Sequence, residues 1–234
     1  MISKKVCLIT GGNRGIGLAI TKKLLETHKI FSLSSSGKSD FEHPDFINIK
    51  NNITDFKETK GNIEEILTFN NIDSVIHNAG ITRDKFFHKM NNDEWFDVIN
   101  TNLLSVYNLL NLPINNMRAN KKGDIIFISS VNAATGMLGQ TNYAASKSGL
   151  YGLCKSLALE SASCNIKVNI ISPGYVNTDM TKVIKEETKQ SIKNQIPMKE
   201  FAEPTDIANT VKFIIDSKYI TGSNIHLNGG LFMN

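Results

Sequence analysis

Seven short runs rich in β-branched residues recur along the chain, separated by stretches whose apolar residues return at helical spacing. The runs are Val6 to Ile9, Ile30 to Leu33, Phe46 to Ile49, Ser74 to His77, Ile125 to Ser129, Lys167 to Ile171 and Asn224 to Leu227. They read as nearly continuous apolar segments, the pattern of strands covered on both faces rather than half-solvated ones. Between them, Ile16, Ala19, Ile20 and Leu24 share one helical face. So do Trp95, Val98, Ile99, Leu103 and Val106, and later Leu150, Leu153, Cys154, Leu157 and Ala158. This rhythm predicts repeated βαβ units, hence an α/β protein built on a parallel sheet. Right-handed crossovers then bring the C-terminal ends of the strands to one edge, where open α/β sheets bind their ligands.

With 234 residues and no Pro- or Ser-rich linker, one domain spanning 1–234 is the economical reading. Only the lysine- and glutamate-rich segment 178–204, broken by Pro197 and Pro204, stands apart; it reads either as a substrate flap or as a solvated helix pair. No apolar run approaches the ~20 residues of a membrane span. Met1-Ile2-Ser3-Lys4-Lys5 leads straight into a strand without a signal-peptide core, so a cytoplasmic location is expected. Cys7, Cys154 and Cys164 form no C-x-x-C pair and are read as small buried apolar side chains in a reducing compartment. The histidines are scattered without ligand spacing, so no metal site is expected. A net charge of +4 carried by dispersed lysines gives no nucleic-acid-binding stripe, though it suits anionic ligands.

Immediately after the first run stands Thr10-Gly11-Gly12-Asn13-Arg14-Gly15-Ile16-Gly17. Such glycines let a backbone turn sharply and approach a pyrophosphate at a helix N-terminus. His77-Asn78-Ala79-Gly80 follows the fourth run; Asn102 lies in a helical stretch; Ser129-Ser130 closes the fifth run; and Tyr143-Ala144-Ala145-Ser146-Lys147 opens a helix. Tyr-x-x-x-Lys places both side chains on one face, a turn apart, and an ammonium near a phenol lowers the tyrosine pKa toward neutrality.

In this order, together with Ser172-Pro173-Gly174 and Thr178, the motifs resemble those of the short-chain dehydrogenase/reductase family from the first strand nearly to the last residues. The resemblance implies a single-domain, Rossmann-like, doubly wound parallel sheet of about seven strands with helices on both faces. It also implies a catalytic tetrad of Asn102, Ser130, Tyr143 and Lys147, with Ser130 chosen over Ser129 by its spacing from the tyrosine. Ser130 and Tyr143 would then bind the carbonyl oxygen, Tyr143 would donate the proton, Lys147 would hold the nicotinamide ribose, and Asn102 would position a water. His77 stands where the family commonly has Asn.

For the cofactor, the resemblance assigns Thr10, Gly11, Asn13, Arg14, Gly15, Ile16 and Gly17 to the diphosphate side. Asn52 and Ile53 fall beside the adenine, Asn78, Ala79 and Gly80 on the adenosine side, and Pro173, Gly174, Val176 and Thr178 on the nicotinamide amide, with Tyr143 and Lys147 at the ribose. After the second run, Ser34-Ser35-Ser36-Gly37-Lys38 offers no acid before Asp40; Arg14 with Ser35, Ser36 and Lys38 would suit a 2′-phosphate, so NADPH is expected. Gly80-Ile81-Thr82-Arg83-Asp84, Gly139-Gln140-Thr141-Asn142-Tyr143 and the Asn228-Gly229-Gly230-Leu231 ending resemble 3-oxoacyl thioester reductases. Within that group the reading leans to acetoacetyl-CoA reductases of polyhydroxybutyrate synthesis, with Gln140, Thr141 and Tyr175 joining Ser130 and Tyr143 around the substrate. Carrier-bound substrates of fatty acid synthesis are the alternative, favoured by Met137 and Leu138, which depart from the CoA pattern. A non-catalytic dinucleotide-binding scaffold is the alternative of another class. The lysines of 178–204, with Arg118, Lys121 and Lys122, would attract CoA phosphates or an acidic carrier protein, and a homotetramer is implied. Between Ser34 and Phe46 there is little room for a full helix.

Overall fold

The first apolar run becomes the inner strand at which the chain reverses direction across the sheet. In a computed structural model, which describes residues 4–233, seven strands pair in the order β3-β2-β1-β4-β5-β6-β7. They are β1 (Lys5–Thr10), β2 (His28–Ser34), β3 (Phe46–Lys50), β4 (Ser74–His77), β5 (Gly123–Ile128), β6 (Ile166–Pro173) and β7 (Asn224–Leu227). Every pairing is parallel. The switch between β1 and β4 opens the crevice expected of a doubly wound sheet. The residues Met1 to Ser3, from which the absence of a signal core was read, lie outside the described residues.

Among the described residues there are ten α-helices, most of them packed on the two faces of the sheet: α1 (Gly15–Leu24), α2 (Phe56–Phe69), α3 (Asn92–Ile99), α4 (Ser105–Leu110), α5 (Pro113–Asn120), α6 (Asn132–Thr135), α7 (Thr141–Ser161), α8 (Asp179–Lys182), α9 (Glu186–Gln195) and α10 (Pro204–Asp216). On one face Ile63, Val106, Leu109, Met117, Leu150 and Cys154 pack with Leu8, Val75, Phe127 and Val168. On the other, Ile20 and Leu24 of α1 and Ile207, Val211 and Ile214 of α10 close over Ile9, Ile76 and Ile171. Between β2 and β3 there is no helix, as the short spacing requires; a loop carrying Phe41, packed on Phe46, covers that end of the second face. The single amphipathic stripe from Trp95 to Val106 departs from expectation: α3 and α4 are separated by a π-helical turn, Asn100–Leu104. Cys7 and Cys154 are buried as read, but Cys164 is only partly so, because it falls on the turn between α7 and β6. Among the described residues, no helix is long and apolar enough to cross a membrane.

Two buried histidines make the fold acid-sensitive. Burial, reinforced by nearby Lys5, pushes His28 down from 6.5 to about 4, and burial with nearby Lys147 pushes His77 down to about 3. The unfolded chain therefore takes up protons first, so their stabilisation is complete above about pH 6.5 and is lost as pH falls toward 4 and 3. Urea unfolding is expected to show a loss of about 4 kcal/mol between pH 7 and pH 5 from the two together. His28→Gln should recover about half of that loss; an unchanged pH dependence in this variant would contradict the assignment.

Candidate active site

At the C-terminal edge of the sheet, three turns are tied into one surface. Gly11 ends β1 with φ +66, and a Cβ at Gly17 would stand 1.9 Å from the Gly11 carbonyl oxygen, so the turn closes on itself only with glycine there. Thr10 Oγ1 accepts the backbone N–H of Asn78 (3.0 Å) and Ala79 (2.9 Å), and Asn78 Nδ2 donates back to Thr10 O and Gly11 O. The N-A-G segment after β4 is thereby fixed against the glycine-rich turn. Across the crevice, the Thr178 methyl lies over Gly15.

α1 starts in that turn without a side-chain cap and without an acid in its first turn, while α2 and α3 are capped by Asp55 and Asn91. Its N-terminal N–H groups and dipole suit an anion, and Arg14 is exposed beside them. Asn13 Nδ2 donates to Ser36 Oγ (3.1 Å) and Lys38 O (2.7 Å), so the loop after β2 is held beside the same turn, with Ser35, Ser36 and Lys38 exposed. These residues fit a dinucleotide diphosphate. Further along, Ile53 is buried in the core, and Asn52 accepts hydrogen bonds from Thr54 within its own turn. Pro173, Gly174 and Val176 line the end of β6, where Gly174 N–H donates to Leu227 O.

Deeper in, a Cβ on Gly80 would stand 3.2 Å from Lys147 Nζ and 3.3 Å from Asn102 Oδ1, so the three residues meet at one point. Lys147 is 3% exposed and donates to Ile128 O at 2.8 Å; burial pushes its ammonium down from 10.5 to about 8. Asn102 is fully buried, accepting from Ile81 N–H and donating to Ile81 O and to Ser146 Oγ. Its side chain is thus committed to holding Ile81 and α7. The hydroxyl of the neighbouring Ser129 is taken up within the protein, donating to Lys147 O at 3.0 Å.

Tyr143 reverses one expectation. Lys147 Nζ lies 5.9 Å from the centre of the Tyr143 ring and is directed at Ile128 O. The phenol pKa is raised, chiefly by burial and further by Asp84, while the adjacent Ser130 hydroxyl pulls it down. Dehydration of the phenolate outweighs a partner ammonium aimed elsewhere. At neutral pH Tyr143 is therefore a protonated donor beside Ser130.

The residues expected around the substrate are only partly free to meet one. Gln140 is buried, donating to Asp84 Oδ2 (2.8 Å) and accepting from Asn132 Nδ2 (2.9 Å), whereas Thr141 is exposed. Tyr175 stacks on Phe201 at 5.3 Å, with its hydroxyl near Met137 Sδ. The 178–204 segment is an exposed pair, α8 and α9, anchored at one end by Thr178 over Gly15 and at the other by Phe201 under Tyr175. The sequence motifs carry Ser146, Asn142 and Asp84 without giving them a role, and Asn132 lies outside them. Asn142 Nδ2 donates to Arg83 O and Glu94 O, clamping α7 to α3, and Asn132 N–H donates to Ser130 Oγ. The available signal was small polar residues on the buried face of the Tyr-x-x-x-Lys helix and one turn beyond Ser130.

Fold and site together define a dinucleotide-dependent oxidoreductase of the doubly wound α/β class. A family model described as short chain dehydrogenase matches residues 5–189. The chain belongs to the short chain dehydrogenase family. It is 40% identical to the 3-oxoacyl-[acyl-carrier-protein] reductase FabG of Staphylococcus aureus, covering 98% of both chains. It is also 40% identical to the protein of the same name from Haemophilus influenzae, over 98% of this chain and 99% of that one. With the Salmonella typhimurium protein of that name it shares 38% identity over 98% of each.

Proposed function

We propose that the chain reduces a 3-oxoacyl thioester to the 3-hydroxyacyl thioester, using NADPH, with the acyl group carried on acyl carrier protein. The observation that carries this reading is the convergence of Ser130, protonated Tyr143 and buried Lys147 at the edge of the crevice, in a chain whose full-length relatives bear that activity in their names. NADPH, when bound, would supply the hydride for reduction of the 3-carbonyl. As negative charge gathers on the carbonyl oxygen, Ser130 and Tyr143 donate hydrogen bonds to it and Tyr143 gives up its proton. Lys147 holds the nicotinamide ribose, and Asn102 fixes the backbone at Ile81 that borders it. Arg14, Ser35, Ser36 and Lys38 bind the 2′-phosphate, all four being exposed beside the glycine-rich turn.

Acetoacetyl-CoA, the substrate favoured from sequence, loses ground here. Gln140, counted toward a CoA-type acyl site, has its amide tied to Asp84 and Asn132, and the named relatives act on the carrier-bound form. Lys182 pairs with Asp179 and Lys189 with Glu186, which lessens charge attraction from the 178–204 segment for either carrier alike. Side-by-side kinetics with acetoacetyl thioesters of carrier protein and of CoA, each with NADPH and NADH, test both assignments. The expected order is a higher kcat/KM for the carrier substrate and at least about tenfold preference for NADPH, about 1.4 kcal/mol of charge-assisted binding. Preference for CoA or for NADH would overturn the corresponding assignment.

A homotetramer is part of the same proposal. Phe96, Leu104, Tyr107 and Leu159 are exposed on α3, the π-helical turn, α4 and α7, more apolar surface than helices facing water need. Light scattering is expected to give four times the mass of the chain, and a monomer mass would contradict it.

A further inference from the structure

His77 and Ser105 are both buried and take no part in the chemistry above, yet they bear directly on the turn that carries Asn102. In that π-helical turn the N–H of Ser105 reaches back five residues to Asn100 O. An α-helix would have sent it to Thr101 O instead. The vacated Thr101 carbonyl accepts the Ser105 hydroxyl at 2.6 Å. That hydroxyl has one proton and has spent it, so at the 3.0 Å contact between Ser105 Oγ and His77 Nε2 the ring nitrogen must donate. His77 is thereby fixed as the neutral Nε2–H tautomer. Its Nδ1 is buried with no partner, and Phe127 stands edge-on to the ring at 6.4 Å. The chain of contacts runs from the end of β4 through Ser105 to Thr101, the residue before Asn102.

We propose that His77 is a positioning residue: donating to Ser105, it locks the π-helical turn in the form that holds Asn102 on Ile81 and Ser146. Asn102 in turn clamps the backbone at Ile81, beside Gly80 and Lys147. Without the His77 donor, the Ser105 hydroxyl is released to rotate. The turn then relaxes toward α-helical pairing, which rotates Asn102 away from Ile81. The kinetic consequence rests on the proposed catalytic role of this site; the structural consequence does not.

The test compares His77→Phe, His77→Gln and Ser105→Ala with the unaltered chain. It uses amide hydrogen exchange at Ile81 and steady-state kinetics with NADPH and acetoacetyl-carrier protein. In His77→Phe and Ser105→Ala, Ile81 exchange is expected to quicken about tenfold and kcat to fall about tenfold, with KM and NADPH affinity within about twofold. His77→Gln, whose Nε2 donor reaches the same place, should restore both; the Phe and Ala effects should not add in the double variant. Unchanged Ile81 exchange in both Phe and Ala variants overturns the proposal, as does a Gln variant as impaired as Phe. If His77→Phe fails to fold, the small Ser105→Ala change decides alone. Tyr143→Phe serves as control: normal turnover in that control, beside quickened Ile81 exchange in the His77 and Ser105 variants alone, would indict the reading of the site and leave the positioning role standing.

Discussion

Tyr143→Phe is expected to lower kcat for thioester reduction by about 10²–10⁴-fold while NADPH affinity stays within about twofold. The substitution removes one hydroxyl and conserves the ring, so the packing of α7 against the Ser130 turn is unaltered. What is lost is the phenolic proton that stands beside Ser130 to neutralise the developing alkoxide. Because burial and Asp84 hold the phenol above its ordinary value, it is fully protonated at neutral pH. The reducing direction needs that species. Fluorescence titration with NADPH, beside initial rates, checks the two halves, and a variant with near-normal turnover would remove Tyr143 from the mechanism.

Lys147→Met is expected to abolish turnover on a similar scale, about 10²-fold or more, and yet to make the ligand-free protein more stable. Lys147 carries a charge into the interior, where it donates to Ile128 O, and burial holds its pKa near 8 in place of 10.5. Below pH 8 the ammonium persists in the folded chain at a cost of up to about 3 kcal/mol, of which Met should recover about 1–2 after losing the bond to Ile128 O. The sign follows from proton counting. Between pH 8 and 10.5 the unfolded chain binds the proton that the folded chain has released, so the parent gains stability as pH rises and the advantage of Met shrinks. Urea midpoints at pH 7 and pH 10 for both chains check this. A destabilised Met variant at pH 7 would mean that the ammonium is better paired than its contact with Ile128 O implies.

The inner strands were legible because parallel strands buried on both faces have to be written as apolar runs, and each of the seven, the half-buried edge strands β3 and β7 included, lies within a residue or two of its reading. Motif order was equally plain: Gly17 has no room for a Cβ, and Thr10 must reach the N–H groups of Asn78 and Ala79. Hidden from the sequence were properties set by direction rather than by spacing. Tyr-x-x-x-Lys spacing puts the two side chains on one face, but Lys147 turns to Ile128 O, so its effect on Tyr143 is outweighed by burial. Helical periodicity runs from Trp95 to Val106 without a break that would mark the π-helical turn, which is set by the hydrogen-bond partner of Ser105 N–H and not by the apolar spacing. Gln140 matched a substrate position in pattern, while its amide is satisfied within the protein by Asp84 and Asn132.

Hydride transfer itself is the most direct measurement. NADPH carrying deuterium at the transferable C4 position, incubated with acetoacetyl-carrier protein and the purified chain, is expected to give a 3-hydroxyacyl product labelled at C3, with Tyr143→Phe giving none above background. NADPH that binds and is not consumed, or a product without deuterium at C3, would contradict the assignment of Ser130, Tyr143 and Lys147 to carbonyl reduction.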